Sequence, residues 1–166
     1  MESLLSKISA YHLISYALTG LILCAIYIEA HGKETNGHPI LIFGTVYVVG
    51  LIVSRIGSII LERPLRKLGF IKYAKYSDFV IAELKDPKVS GLAEQAAFYR
   101  TLSTGFLLLA LISLFDGLPV KTAFFKGYQE TGIYVLIMLL FAFSYRKQCD
   151  FVAQRVKVGV EKSSDG

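Results

Sequence analysis

The chain has 166 residues, 54% of them hydrophobic, with a mean hydropathy of +0.52, a formal net charge of +5 and a pI near 9.2. The apolar residues fall in long blocks rather than at amphipathic spacing, which excludes an ordinary soluble domain and leaves little chain for a separate soluble core. The basic excess lies beside those blocks, so direct nucleic-acid binding is not expected. Cys24, in an apolar run, and Cys149, in a basic tail, have neither disulfide nor metal-ligand spacing.

The first span is expected over residues 12–30. No Asp, Glu, Lys or Arg falls between Lys7 and Glu29, enough helix to cross a ~30 Å hydrocarbon core. The run is too long for a signal peptide, and Ile28-Glu29-Ala30 is a poor cleavage site, so the span is expected to be retained. Tyr11, Tyr16 and Tyr27 mark its two interfaces. Asn36-Gly37 reads as a turn and Pro39 as a first-turn residue of the next helix.

The second span is expected over residues 39–62. Gly50, Ser54 and Ser58 recur every four residues, with Gly57 adjacent. Small residues at that spacing let helix backbones approach, either between copies of the chain or within one. Pro64 is expected to end or kink this helix near Leu61–Arg63. Glu62 and Arg66 can pair if the turn persists, and Gly69 suits a helix C-terminus. The apolar Ile56–Leu61 then needs cover, from the following loop or from another subunit.

Residues 63–99 read as one long loop with two short helices. Ser77 is expected to cap the first, Asp86-Pro87 to end it, and Ser90 to cap the second. Phe79, Val80, Ile81 and Leu84 need cover, on the membrane surface or under a neighbouring subunit. The third span is expected over 100–118, ending at Asp116-Gly117-Leu118-Pro119. The fourth covers 130–147, after interface anchors at Phe124, Phe125 and Tyr128. It is expected to continue as a helical tail over 147–160, with fraying from Glu161. Tyr145, Cys149, Val152 and Val156 fall at i, i+4, i+7 and i+11, one apolar seam that could serve as an oligomer contact.

Counting Lys and Arg by side gives 14 for the N-terminus, the long loop and the tail against 3 for the other two loops, with Arg55 set aside. Both termini and the long loop are therefore expected in the cytoplasm. Arg100 and Asp116, and likewise Glu130 and Arg146, are sixteen residues apart, only ~24 Å of helix. Arg55 lies sixteen residues after Pro39, and His12 seventeen before Glu29. These counts place His12, Arg55, Arg100 and Arg146 at one inner depth, as contacts to anionic lipid headgroups or as a guanidinium ring lining an anion-permissive vestibule. Spans this short would thin the local bilayer or make it sensitive to thickness.

No carboxylate pair lies within a span, no nucleophile has an evident base, and no phosphate-loop or dinucleotide fingerprint occurs, so no enzymatic activity is expected. No cofactor is implied, and Glu29, His31 and His38 sit on too flexible a loop to expect a metal. The basic and aromatic residues Arg63, Arg66, Lys67, Lys72, Tyr73 and Tyr76 form the best surface for a protein partner.

The sequence thus reads as one all-α membrane domain, 1–166: a four-transmembrane-helix bundle with helical cytoplasmic extensions, in a bacterial inner membrane. The expected function is a homo-oligomeric platform or sensor that recruits a soluble cytoplasmic partner and contacts anionic lipid. The alternative is an ion channel or pore-forming effector, with Ser54, Arg55, Ser58, Ser103 and Thr104 gathered around an axis. Small stand-alone membrane proteins of both kinds occur in bacterial stress and phage-defence systems, the setting expected from class alone.

Overall fold

The computed structural model describes residues 10–31, 38–116 and 124–164, and within them the side chains of 13–29, 38–115 and 130–161. Every element there is helical: α1 (Ala10–His31), α2 (Pro39–Ile56), a π turn (Gly57–Leu61), α3 (Glu62–Lys67), α4 (Tyr76–Lys85), α5 (Lys88–Asp116) and α6 (Phe124–Ser164). Pro39–Lys67 and Lys88–Phe115 are long and apolar enough to cross a membrane, while Leu13–Glu29 is a shorter apolar helix. The apolar part of α6, between Glu130 and Arg146, is shorter still. The Asn36-Gly37 turn, the Gly117-Leu118-Pro119 stop and the side chains of His12, His31, Phe124, Phe125 and Tyr128 lie outside the described residues. α6 keeps helical backbone through Ser164, past the expected fraying point at Glu161.

α1 and α2 cross at backbone contact. A Cβ on Gly20 would sit 1.9 Å from the Val46 carbonyl oxygen, and one on Gly50 would sit 2.0 Å from that of Tyr16. Only glycine permits this approach, because no backbone can retreat by a full ångström without opening the crossing. Leu23, Val53, Phe106 and Leu109 make the buried core that joins α1, α2 and α5, with Tyr134, Ile137, Met138 and Phe141 of α6 against it. Two buried threonines satisfy their hydroxyls within their own helices. Thr19 Oγ1 donates to the Ser15 carbonyl at 2.9 Å, and Thr101 Oγ1 to that of Ala97 at 2.8 Å.

α5 and α6 form a long antiparallel hairpin whose register is pinned at three levels. The Ser113 and Thr131 hydroxyls meet at 2.9 Å, Ser103 Oγ donates to the Met138 carbonyl at 3.1 Å, and Gln148 Nε2 donates to Gln95 Oε1 at 2.9 Å. α6 has 41 residues, a rod of ~62 Å at 1.5 Å per residue. Both helices therefore project well beyond a ~30 Å apolar layer.

The helix after Pro39 does not end at Leu61–Arg63. It runs through Pro64 to Lys67 by way of the π turn, in which the Glu62 N–H reaches back to the Gly57 carbonyl. Proline cannot donate to residue 60, and its ring crowds that carbonyl; the wider turn just before it absorbs the misfit. The helix stops where expected. Gly69 takes a left-handed φ of 68°, its N–H donates to the Arg66 carbonyl at 3.1 Å, and the Phe70 N–H donates to that of Leu65 at 2.9 Å.

Residues 63–99 are not a loop but a packed subdomain. α5 starts at Lys88 and passes unbroken into the apolar run, so Ser90 caps nothing. Asp86 does that work: its Oδ1 accepts the Lys88 N–H at 3.0 Å, with Pro87 in the first-turn position. Its Oδ2 accepts from Arg155 Nε at 2.7 Å, tying the α4–α5 corner to α6. Ser77 does not cap α4; its hydroxyl bonds Asp78 at 3.1 Å. Ala82 of α4 and Val89 of α5 close on Val152 and Val156 of α6, with Phe79 packed alongside. α6 thus covers Ala82 and Phe79 of α4, while Ile81 and Leu84 stay 40% and 83% exposed.

Candidate functional site

The seam on α6 is buried as its period requires. Tyr145, Cys149, Val152 and Val156 are all under 9% exposed. Their cover is Ile71 and Phe70 of the segment after α3, Ala96 of α5, and α4. Cys149, Val152 and Val156 therefore need no second copy of the chain. Gly50 is likewise engaged by α1, Ser54 is buried, and a Cβ on Gly57 would sit 2.5 Å from Thr104 Oγ1 of α5. Of the small-residue ladder, only Ser58 retains partial exposure.

Between α3, residues 71–76, α5 and α6 the subdomain leaves a groove of about 940 Å³. Its charged lining is Glu62, Arg66, Lys72, Lys75 and Arg100. Arg100 pairs with Glu62 through Nη1, and both side chains are mostly buried. The Arg100 Nε is also buried and has no hydrogen-bond partner among the described residues. The expected Glu62–Arg66 pair does not form, although the helical turn between them persists. Glu62 is spent on Arg100, and the exposed Arg66 lies 6.0 Å from the centre of the Tyr73 ring.

The Tyr73 and Tyr145 hydroxyls are hydrogen-bonded to each other across the groove. Burial, together with that hydrogen bond, pushes the Tyr73 phenol above its ordinary range, so it stays protonated at neutral pH. Ala93, Ala96 and Ala97 along α5 keep one wall low, and Ile71, Phe79 and Val152 make the rest of the lining apolar. Cys149 forms part of the floor. Burial pushes its thiol up to about 12, against a lowering hydrogen bond from Tyr145.

The arginines of the expected inner layer do not share one depth. Ser103 opposite Met138 and Gln95 opposite Gln148 set Arg146 opposite about residue 96, ~6 Å beyond Arg100 along the hairpin. Arg146 lies over the Phe70 ring at 4.9 Å. Arg55 lies deeper than either, since Gly57, two residues further along, already faces Thr104 and Arg100. It points outward between Ile52 and Ile59, which are 54% and 55% exposed. Ile59 and Ile60 stay 55% and 60% exposed, so of the two expected sources of cover the segment 63–99 does not bury them.

Arg63 and Lys67 are exposed on α3, and Lys72 and Tyr76 are exposed along the groove beside the half-exposed Tyr73. Lys75 joins them there, a residue with no motif to single it out. Ser54, Ser103 and Thr104, expected around a channel axis, are at most 5% exposed and turned into the chain. Thr104 Oγ1 donates to the Arg100 carbonyl at 2.8 Å. No family model matches the chain, and no curated protein or solved structure gives a significant match.

Proposed function

We propose that the chain is a non-enzymatic, multi-pass membrane protein with four short spans and both termini in the cytoplasm. It acts as a platform that presents a fixed basic and aromatic face to a soluble, acidic partner. The observation that carries this reading is the groove rim. Arg66, Lys72, Lys75 and Tyr76 are exposed along the groove, and Arg63 and Lys67 are exposed on α3, all on a subdomain packed against both α5 and α6. A flexible basic loop would pay an ordering cost on binding that this surface avoids. The charge asymmetry between the two sides of the bundle supports the orientation.

α1 and α6 complete the four spans in this reading, their short apolar runs matched by a locally thinned bilayer. Self-assembly would use the outward face of α2, where Ile52, Arg55 and Ile59 stand uncovered. The channel reading loses support because two of the four hydroxyls it names, those of Ser103 and Thr104, are already bonded inside one chain.

Site-specific photo-crosslinking in cells tests the platform. A benzoylphenylalanine at Tyr76 should give one discrete protein adduct, weakened by Arg66→Glu with Lys67→Glu. The same probe at Ile42, in the first turn of α2, should not give it. No adduct at Tyr76, or one indifferent to charge reversal, would remove the reading.

A further inference from the structure

We propose that the groove beneath this rim binds a phosphate-bearing ligand with an apolar body: the headgroup of an anionic phospholipid, or a soluble organic phosphate. The inference goes beyond partner recruitment and rests on the membrane reading only for the lipid source.

The charges select an anion. The lining holds four cations, Arg66, Lys72, Lys75 and Arg100, and one carboxylate, Glu62. Glu62 is already paired with Arg100. Arg66, Lys72 and Lys75 make no ion pair among the described residues. Three uncompensated cations around a concave, partly apolar site reinforce one another's field and attract a multiply charged anion.

The hydrogen-bond inventory selects an acceptor-rich one. The exposed Arg66, Lys72 and Lys75 present only donors to the groove. With Glu62 committed, no other carboxylate lines the groove. Phosphate oxygens match such a donor surplus, particularly where guanidinium groups take part.

The shape selects a body attached to the phosphate. About 940 Å³ far exceeds what a bare phosphate fills and falls in the range of organic-ligand sites. Ala93, Ala96 and Ala97 line the groove together with Phe79, Ile71 and Val152. A glyceride or a planar ring system suits it. On the membrane reading, the groove lies just beyond the apolar layer on the cytoplasmic side, within reach of inner-leaflet headgroups and of solutes.

The test uses the full chain purified in a neutral detergent. In one arm, native mass spectrometry follows retention of short-chain phosphatidylglycerol against phosphatidylcholine. In the other, equilibrium dialysis follows ATP and inorganic phosphate. The expected result is one phosphatidylglycerol retained per chain, or saturable binding of one ATP, with phosphatidylcholine not retained. Arg66→Gln with Lys72→Gln should weaken that binding about tenfold or more, the loss of two charge-assisted contacts. Lys85→Gln with Lys88→Gln removes the same charge outside the groove and should leave binding intact. Ala97→Leu fills the groove without changing charge and should also weaken binding.

Lipid-only binding identifies the headgroup source, and ATP-only binding the soluble source; both support the groove. Absence of stoichiometric binding in both arms overturns it. So does equal loss in the Lys85/Lys88 control, or binding unchanged by Ala97→Leu in a variant whose melting temperature matches the parent. Liposome flotation separates the two readings: a chain that stays out of membranes yet binds ATP in the groove defeats the membrane reading alone.

Discussion

Arg100 and Glu62 are joined across the bundle, on helices that meet where the π turn ends. Arginine in an apolar environment requires a counter-charge. Glu62→Gln should leave that guanidinium mostly buried and unpaired and destabilise the fold by about 2 kcal/mol, the penalty being reduced by the pair's residual exposure. Glu62→Leu with Arg100→Leu should recover most of the loss. Thermal unfolding in detergent of the single and double variants reads both effects. A double variant less stable than Glu62→Gln would mean the pair is worth more than its desolvation.

The α1–α2 crossing predicts a contrast between glycines. Gly50→Ala, whose methyl would overlap the Tyr16 carbonyl, should destabilise by about 3 kcal/mol or prevent accumulation of the protein. Gly44→Ala meets nothing within 4 Å and should be neutral or stabilising by up to about 1 kcal/mol. Expression level and melting temperature of the two variants, measured together, decide the matter.

The Asp86 contacts predict a pH dependence. The Arg155 hydrogen bond, followed by that from the Lys88 N–H, holds the Asp86 carboxyl below its ordinary range. A depressed carboxylate contributes stability that is complete above the unfolded-state value, near 3.9, and is lost as pH falls through the lowered folded value. Amide protection factors across α4 and the start of α5, taken against the intrinsic exchange rate at each pH, should therefore fall at acid pH. In Asp86→Asn this acid-dependent component should be missing, and the two proteins should converge as pH falls. Identical pH profiles would contradict the assignment.

Cys149 predicts a reactivity. With its thiol pushed up to about 12, the thiolate fraction at pH 8 falls about a thousandfold below that of a free cysteine near 8.5. Iodoacetamide should label Cys149 only as fast as residues 70–76 lift away from α6. Tyr73→Phe removes one hydroxyl of the bridging pair and should speed that labelling, as peptide mass spectrometry would show. A parent protein labelled at the rate of a model thiol would contradict the burial.

Much of this architecture was legible in the chain itself. Apolar blocks located the helices, Gly69 and Asp86-Pro87 marked boundaries, and the spacing of Tyr145, Cys149, Val152 and Val156 identified a buried seam. What covers that seam was not legible, because a 3.5-residue period reports burial and not the partner. The π turn was hidden for a related reason. Pro64 removes one hydrogen bond, and local sequence does not say whether packing on both sides will hold the helix through it. The Arg100 partner was obscured by a nearer alternative, since Glu62 and Arg66 satisfy the i,i+4 rule while the true contact spans the bundle. The clue was Arg100 itself, a charge bordering an apolar run. Equal residue counts suggested equal depth for Arg55, Arg100 and Arg146, but helix ends are staggered and counting cannot see the offset.

The unbroken length of α6 has a mechanical consequence. The segment that packs against α5 among apolar side chains and the segment that carries the seam are one rigid rod of ~62 Å. A pivot of about 5° near its middle would displace each end by roughly 3 Å. Tilt at the greasy end is thereby converted into translation of Cys149, Val152 and Val156 past Ile71 and Ala82, so the width of the groove is geared to the inclination of a single helix.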